Sequence, residues 1–179
     1  INHSSLTNFI ERGYVGPNQS IYQSLEKVPA GCFIKVQFKN DQVNGLRPIR
    51  YWSLEDAVSA GIESPFVGNF DEATNQLEFL LLQSIRDQQL ADVPVGAFLS
   101  GGIDSSLVVA LMQQQSKGSV KTFTIGFKED RYNEAEHAKE VAKHLGTDHH
   151  ELYVSAQDAV GVIPELSTIW DEPFADSSQ

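Results

Sequence analysis

The spacing of hydrophobic and polar residues changes near residue 70, and the two parts of the chain predict different structures. In the first part, residues 31–38 predict a strand. The turn signals at 40–41 and 44–45 lead to a short extended piece at 49–52 that would close a hairpin. In the second part, helical and strand spacings alternate. The sequence therefore predicts a small β structure followed by an α/β structure.

Three strands and four helices alternate from residue 71 on. The predicted strands are 95–99, 121–127 and 150–154. The predicted helices begin at an N-cap at Asp71, at about Asp104, at a capping box of Asn133 with Glu136, and at a second capping box of Ser155 with Asp158. This order predicts a parallel sheet with helices on both faces, and ligands bind such sheets beyond the carboxyl ends of the strands.

Two of these helices have predicted buried stripes. The helix over 104–115 is expected to bury Leu107, Val108, Leu111 and Met112. The next helix is expected to bury Ala135, Ala138, Val141, Ala142 and Leu145 and to stop at Gly146. Pro164 should kink or end the last helix, because proline cannot donate the backbone hydrogen bond that a helix interior needs.

The most informative segment, residues 100–106, joins the first of these strands to a helix and reads Ser-Gly-Gly-Ile-Asp-Ser-Ser. Its glycines let the backbone approach an anion, and the first N–H groups of the helix point towards such an anion. The serine hydroxyls suit phosphoryl oxygens, and Asp104 suits Mg²⁺. No lysine follows Gly102, so this is not a Walker A loop. Turn chemistry alone leaves open that these are ordinary capping residues.

Composition and charge argue against several classes of protein. The formal net charge is −11, which argues against broad electrostatic binding to nucleic acid. Residues 1–55 carry about +2 and residues 56–179 about −13, which suggests two units of different origin. No apolar run is long enough to span a bilayer, so no membrane partner is expected. The single cysteine, Cys32, excludes an intrachain disulfide and fits a cytoplasmic protein.

Residues 100–106 closely resemble the PP-loop of the N-type ATP pyrophosphatases, and the surrounding segments narrow that resemblance to the glutamine-hydrolysing asparagine synthetase family. The segments that resemble this family are Val93–Gly96, Thr122–Phe127, Ala138–Glu151 and Trp170–Ser178. Upstream, the segments Gly13–Val15, Ser20–Tyr22, Val28–Gly31 and Arg50–Trp52 resemble the end of a glutamine amidotransferase domain. The resemblance covers nearly the whole chain.

The resemblance implies a fold and a division of the chain. Residues 1–56 would be the C-terminal end of an N-terminal-nucleophile amidotransferase domain, a small β remnant. Residues 57–70 would be a linker, and 71–179 the N-terminal part of an adenine nucleotide alpha-hydrolase-like synthetase domain. The family's later Ser-Gly-Glu-Gly-x-Asp-Glu-like loop is not in this sequence. We therefore expect a fragment that is inactive alone.

The resemblance also implies a reaction. Family members use ATP to convert a carboxylate to an acyl adenylate, which ammonia derived from glutamine then attacks. The expected small-molecule substrates are aspartate, glutamine and ATP, with a β-aspartyl-AMP intermediate and Mg²⁺ as cofactor. A relative with another carboxylate acceptor remains an alternative: a β-lactam or peptide-cyclising synthetase, or a polysaccharide-modifying amidotransferase. A non-catalytic scaffold fragment is a further alternative, and a homodimer is left open.

The site residues carried over by resemblance concern the nucleotide. The pyrophosphate would be held by Ser100, Gly101, Gly102, Ser105 and Ser106. The Mg²⁺ ligand would be Asp104, and the backbone of Phe98 and Ile125 would contact the adenine. No catalytic residue is assigned.

Other reactive side chains have less specific interpretations. Cys32 lies inside a predicted strand, so we expect a small buried hydrophobe and not the amidotransferase nucleophile. His149 and His150 should point to opposite faces of a strand and so cannot easily share a metal ion. The cluster of Asp171, Glu172 and Asp176 near the synthetase cleft has no assigned role, and a capped turn is an equal alternative.

Overall fold

The computed structural model describes residues 1–39, 42–44, 47–127, 134–173 and 175. The chain folds into two compact units. The N-terminal unit comprises Ile1–Phe66 together with Pro164–Gln179, and the sheet unit comprises Val67–Ile163. Several residues of the sequence predictions (Asn40, Asp41, Gly45, Asn133 and Asp176) lie outside the described residues.

Seven α-helices and seven strands occur in the described residues. The helices are α1 (His3–Arg12), α2 (Leu54–Glu63), α3 (Phe70–Gln88), α4 (Ile103–Gln115), α5 (Ala135–Leu145), α6 (Ala156–Val162) and α7 (Leu166–Ile169). The strands are β1 (Cys32–Ile34), β2 (Gln37–Lys39), β3 (Gln42–Asn44), β4 (Pro48–Arg50), β5 (Gly96–Phe98), β6 (Lys121–Phe127) and β7 (Asp148–Val154). A short 3₁₀ turn, Ile163–Glu165, follows α6, so the predicted end of this helix at Pro164 is confirmed.

The N-terminal unit contains the predicted hairpin, with a second hairpin inserted into it. Strand β1 pairs antiparallel with β4, and β2 pairs antiparallel with β3. The single strand predicted over 31–38 is therefore two strands, interrupted at Lys35 and Val36. Helix α2 covers the first half of the predicted linker at 57–70. The division into domains at 56 and 70 stays a prediction.

The sheet unit has the predicted α/β architecture. Its three strands are parallel in the order β5-β6-β7, with Phe98 opposite Phe123 and Ile125 opposite Leu152. Parallel neighbours need a crossover connection, which α4 and α5 supply. The carboxyl ends of all three strands therefore lie at one edge, where residues 100–106 follow β5.

Helices α3, α4 and α5 pack on one face of this sheet, so the prediction of helices on both faces is corrected for these three helices. On the covered face, Thr122 and Thr124 are buried beneath the helices. Leu99, Val109, Ala138 and Ala142 form one buried cluster there, and a second is formed by Ile85, Leu111, Met112 and Val120. The other face carries exposed apolar side chains: Phe98, Phe123, Ile125, Phe127 and Leu152. Helices α4 and α5, which connect the three strands, lie on the same side of the sheet. The alternation of strands and helices along the sequence does not indicate on which side a helix lies.

The observed ends of α3, α5 and α6 can be compared with the helix ends that the sequence predicts. Helix α3 begins slightly earlier than predicted, because Asn69 and Glu72 form a reciprocal capping box and Asp71 lies inside the first turn. Ser155 and Asp158 form the predicted capping box of α6. Helix α5 ends as predicted at Gly146, which adopts the left-handed conformation at φ 72°.

The buried stripe of α4 differs from the prediction. Val109 is fully buried, together with Leu111 and Met112, whereas Leu107 and Val108 are each more than 40% exposed. The helix lies between α3 and α5, so its buried surface faces two neighbours instead of forming one narrow stripe. The predicted burial of Ala135, Ala138 and Ala142 in α5 is confirmed.

Candidate nucleotide site

Residues 100–106 form a turn that leads from β5 into the open N-terminus of α4. Gly102 is the N-cap residue, and no side chain among the described residues caps this helix. The first intrahelical bond runs from the Ser106 N–H to the Gly102 carbonyl, so the N–H groups of Ile103, Asp104 and Ser105 have no partner within the helix. Such a 13-residue helix presents unused donors and the positive end of its dipole at this edge of the sheet.

The serine hydroxyls of this turn form a small network. Ser100 Oγ and Ser105 Oγ lie 2.9 Å apart, and the Ser100 and Gly102 N–H groups each donate to one of these hydroxyls at 3.2 and 3.3 Å. Ser105 Oγ also donates to the Gly102 carbonyl. In contrast, the buried hydroxyl of Ser106 has no hydrogen-bond partner among the described residues. An anion at the helix N-terminus would supply the missing acceptor for such a donor.

Gly101 places this turn directly against the first turn of α5. Its φ is +79°, in the left-handed region that favours glycine. A Cβ at this position would lie 2.9 Å from both the His137 Cβ and the Ala138 backbone nitrogen. Neither of these atoms belongs to a flexible side-chain end, so the turn can approach α5 only with glycine here. The sequence motif contains Gly101, but no local signal in the sequence indicates its neighbour His137.

An ionic group anchors α5 to the neighbouring strand. Glu151 on β7 accepts a hydrogen bond from Tyr153 Oη at 2.8 Å and lies 3.2 Å from Lys139 Nζ on α5. These hydrogen bonds, from Tyr153 and then from Lys139, lower the pKa of Glu151 below its usual value. The same contacts raise the pKa values of Lys139 and Tyr153. The helix that supports the glycine turn is thereby tied to the sheet.

Asp104 is the only carboxylate within residues 100–106 and is exposed in the first turn of α4. No group of three or more His, Cys, Asp or Glu residues that could hold a metal occurs among the residues the structure describes. Mg²⁺ commonly binds through one or two carboxylates together with substrate phosphates and water. The donor set here, one carboxylate beside serine hydroxyls and free amides, fits a metal carried in with a polyphosphate.

Phe98 and Ile125 lie on neighbouring strands with their side chains on the exposed face of the sheet. Phe98 is the last residue of β5, which ends one residue earlier than the strand predicted over 95–99, whereas Ile125 lies two residues before the end of β6. The pairing of β5 with β6 ends at Phe98 opposite Phe123, extended by a hydrogen bond from the Leu99 N–H to the Phe123 carbonyl. Along the edge of β6 that faces β5, the backbone from Ile125 onwards has no strand partner in the described chain.

The other candidate residues lie outside the turn at residues 100–106. Cys32 is half-buried in β1, consistent with a packing role. His149 and His150 point to opposite faces, as predicted: His149 Nδ1 lies 2.9 Å from the buried Thr122 hydroxyl, and the His150 ring stacks on Phe123. Glu172 is bound within the N-terminal unit, and Asp171 is exposed beside it.

The chain is similar in sequence to asparagine synthetases. The asparagine synthase family model matches residues 76–179. A putative glutamine-hydrolysing asparagine synthetase of Mycobacterium bovis is 33% identical over 178 residues, covering 98% of this chain and 26% of the relative. One from Methanocaldococcus jannaschii is 32% identical over 99% of this chain and 33% of its own length. The chain thus spans about a quarter to a third of these relatives.

The protein belongs to the asparagine synthase family. A third relative, asparagine synthetase 1 of Bacillus subtilis, is 34% identical over 106 residues, which are 59% of this chain and 17% of that protein. The two longer matches include residues before 76, where the family model does not reach. The structure contains no helix, among the residues it describes, with the length and apolarity needed to cross a membrane.

Proposed function

We propose that residues 100–106 bind the phosphates of Mg·ATP and that the protein uses ATP to amidate aspartate. The side-chain carboxylate of aspartate would attack the α-phosphorus, form β-aspartyl-AMP and release pyrophosphate. Ammonia derived from glutamine would then displace AMP to give asparagine. The observation that carries this proposal is the uncapped N-terminus of α4 beside three serine hydroxyls, one of them buried without a partner among the described residues.

The chemistry assigned to this chain is binding and charge stabilisation. Negative charge builds on the pyrophosphate as its bond to the α-phosphorus breaks. The N–H groups of residues 103–105 and the hydroxyls of Ser100, Ser105 and Ser106 would donate hydrogen bonds to that charge. Asp104 would hold Mg²⁺, which neutralises phosphate charge when bound. The free β6 backbone at Ile125, next to the end of β5, offers hydrogen-bonding groups suited to the edge of an adenine.

The test is ATP–pyrophosphate exchange by the natural full-length protein. We expect exchange that depends on aspartate, and we expect Asp104→Asn to reduce it about a hundredfold, in the range found for removing one group that stabilises transition-state charge. Asp92→Asn is the matched control, because Asp92 is also exposed but precedes β5 and lies outside the turn. Its exchange rate should equal that of the wild type.

Other results would change the proposal in defined ways. Exchange with a different carboxylate and none with aspartate would move the function to a synthetase with another acceptor. Exchange that Asp104→Asn leaves unchanged would contradict the assigned metal ligand. An absence of exchange with any carboxylate, together with no Mg·ATP binding by calorimetry, would overturn the adenylation proposal itself.

A further inference from the structure

An exposed histidine, His137, lies beside the turn at residues 100–106, in the first turn of α5. A Cβ at Gly101 would lie 2.9 Å from the His137 Cβ, so these two residues are in close contact. Both belong to the sheet unit. The His137 ring forms no hydrogen bond or ion pair among the residues that the structure describes. A polar ring with unused hydrogen-bonding groups therefore lies next to the open N-terminus of α4.

The placement of His137 on α5 directs its side chain towards the edge of the sheet where the turn lies. Val141 lies four residues further along, on the same side of the helix, and packs against the buried cluster that contains Leu99. Leu99 directly precedes the turn at residues 100–106, so His137 lies one helical turn beyond that cluster, level with the turn. Helical Cα–Cβ bonds tilt towards the helix N-terminus, and α5 begins at the carboxyl edge of the sheet. The ring is therefore directed away from the core and towards the place proposed for the phosphates.

The negative charge in this first helical turn lies on a different side of α5. Glu136 is the acidic residue of the first turn. Glu151 on β7 and, to a smaller extent, Glu136 raise the pKa of Lys139, so the Glu136 carboxylate acts towards β7. His137 follows Glu136 by one residue, and neighbouring residues on a helix do not face the same way. A phosphate beside His137 and Gly101 would therefore not be directly opposed by this carboxylate.

We propose that His137 is a further binding residue of the nucleotide site and that its ring donates a hydrogen bond to the pyrophosphate portion of ATP. This role rests on the proposed binding of Mg·ATP at residues 100–106. An imidazole carries at least one N–H donor, whether it is neutral or protonated. Hydrogen bonds to phosphate oxygens are charge-assisted and stronger than those between neutral groups. The site would thus combine donors from two helices, α4 and α5, and would favour ligands with a polyphosphate over AMP.

The experiment measures the affinity of the natural full-length protein and its variants for Mg·ATP, Mg·pyrophosphate and AMP by calorimetry. His137→Ala should weaken binding of the first two ligands about tenfold, the size expected for one lost hydrogen bond to a charged group, and change AMP binding by less than about twofold. His137→Phe keeps a ring without a donor and should lose as much. His137→Gln keeps an N–H donor and should retain most of the affinity. His144→Ala is the matched control, because His144 is an exposed histidine in the last turn of the same helix.

Nuclear magnetic resonance of the histidine rings separates a direct contact from a structural effect. The ring signal of His137, identified by its absence in His137→Gln, should shift when Mg·pyrophosphate is added to the wild-type protein, and that of His144 should not. This titration does not depend on the folding of His137→Ala.

Two kinds of result have different consequences. A wild-type protein that binds neither Mg·ATP nor Mg·pyrophosphate would overturn the proposed function, and this result is read before any variant is compared. If the wild type binds both, three results would each overturn the role of His137 alone: unchanged affinities in His137→Ala, equal losses for AMP and the polyphosphates, or a ring signal that does not respond to Mg·pyrophosphate.

Discussion

Gly101→Ala should both destabilise the sheet unit and reduce Mg·ATP affinity at least tenfold. Two costs add at this position. An L-residue in the left-handed region costs roughly 1–2 kcal/mol, and a Cβ that overlaps neighbouring backbone costs about 1–3 kcal/mol more. At Gly101, φ is +79° and a Cβ would meet the His137 Cβ and the Ala138 nitrogen at 2.9 Å. The turn must move away from α5 to relieve this overlap, and its N–H groups then lose their common direction.

Alanine substitutions at two other glycines are controls that allow the two energetic costs to be measured separately. Gly146 has a similar φ of +72°, but no atom lies within 4 Å of a Cβ placed there, so Gly146→Ala measures the backbone cost alone. Gly118 has neither a positive φ nor a near neighbour, so Gly118→Ala should be almost neutral. Denaturant unfolding gives the stability of each variant, and calorimetry gives its affinity for Mg·ATP. Equal stability losses for Gly101→Ala and Gly146→Ala would contradict the close contact between the turn and α5.

The elements of the sheet unit were largely predictable because their signals are local. Gly146 ends α5 in the left-handed backbone conformation, which favours glycine. The capping box of Ser155 with Asp158 starts α6. The opposite orientations of His149 and His150 follow directly from the two-residue period of a strand. The start of α3 is an exception: Asn69 with Glu72 has the spacing of a capping box and forms one, whereas the sequence prediction places the N-cap at Asp71.

The features that were not predictable depend on tertiary contacts. Val109 is fully buried while Leu107 and Val108 are exposed, and hydrophobicity alone does not rank these three residues. Glu172 contacts Ile21 across 151 positions, a pairing for which the sequence contains no spacing rule. The candidate site likewise has one part that is predictable from the sequence and one part that is not. Its glycines and serines form a recognisable motif, whereas the support that His137 and Ala138 give to Gly101 is visible only in three dimensions.

Leu99→Ala is expected to destabilise the sheet unit by about 3 kcal/mol, within the range for replacing a buried leucine by alanine. Leu99 directly precedes the turn at residues 100–106 and is 1% exposed, in a cluster with Val109, Ala138 and Ala142. Its backbone is fixed by hydrogen bonds from its N–H to the Phe123 carbonyl and from the Thr124 hydroxyl to its own carbonyl. The backbone therefore cannot shift readily to fill the space that the lost side chain leaves.

The measurement for Leu99→Ala is denaturant-dependent hydrogen exchange at the amides of β6, which reports unfolding of the sheet unit separately from the rest of the protein. Leu90→Ala removes the same atoms from a side chain that is 94% exposed, and it should change stability by less than about 0.5 kcal/mol. A loss at Leu99 no larger than that at Leu90 would show that this cluster does not support the turn. Because Leu99 connects β5 to Ser100, a loosened cluster should also weaken Mg·ATP binding, whereas Leu90→Ala should leave it unchanged.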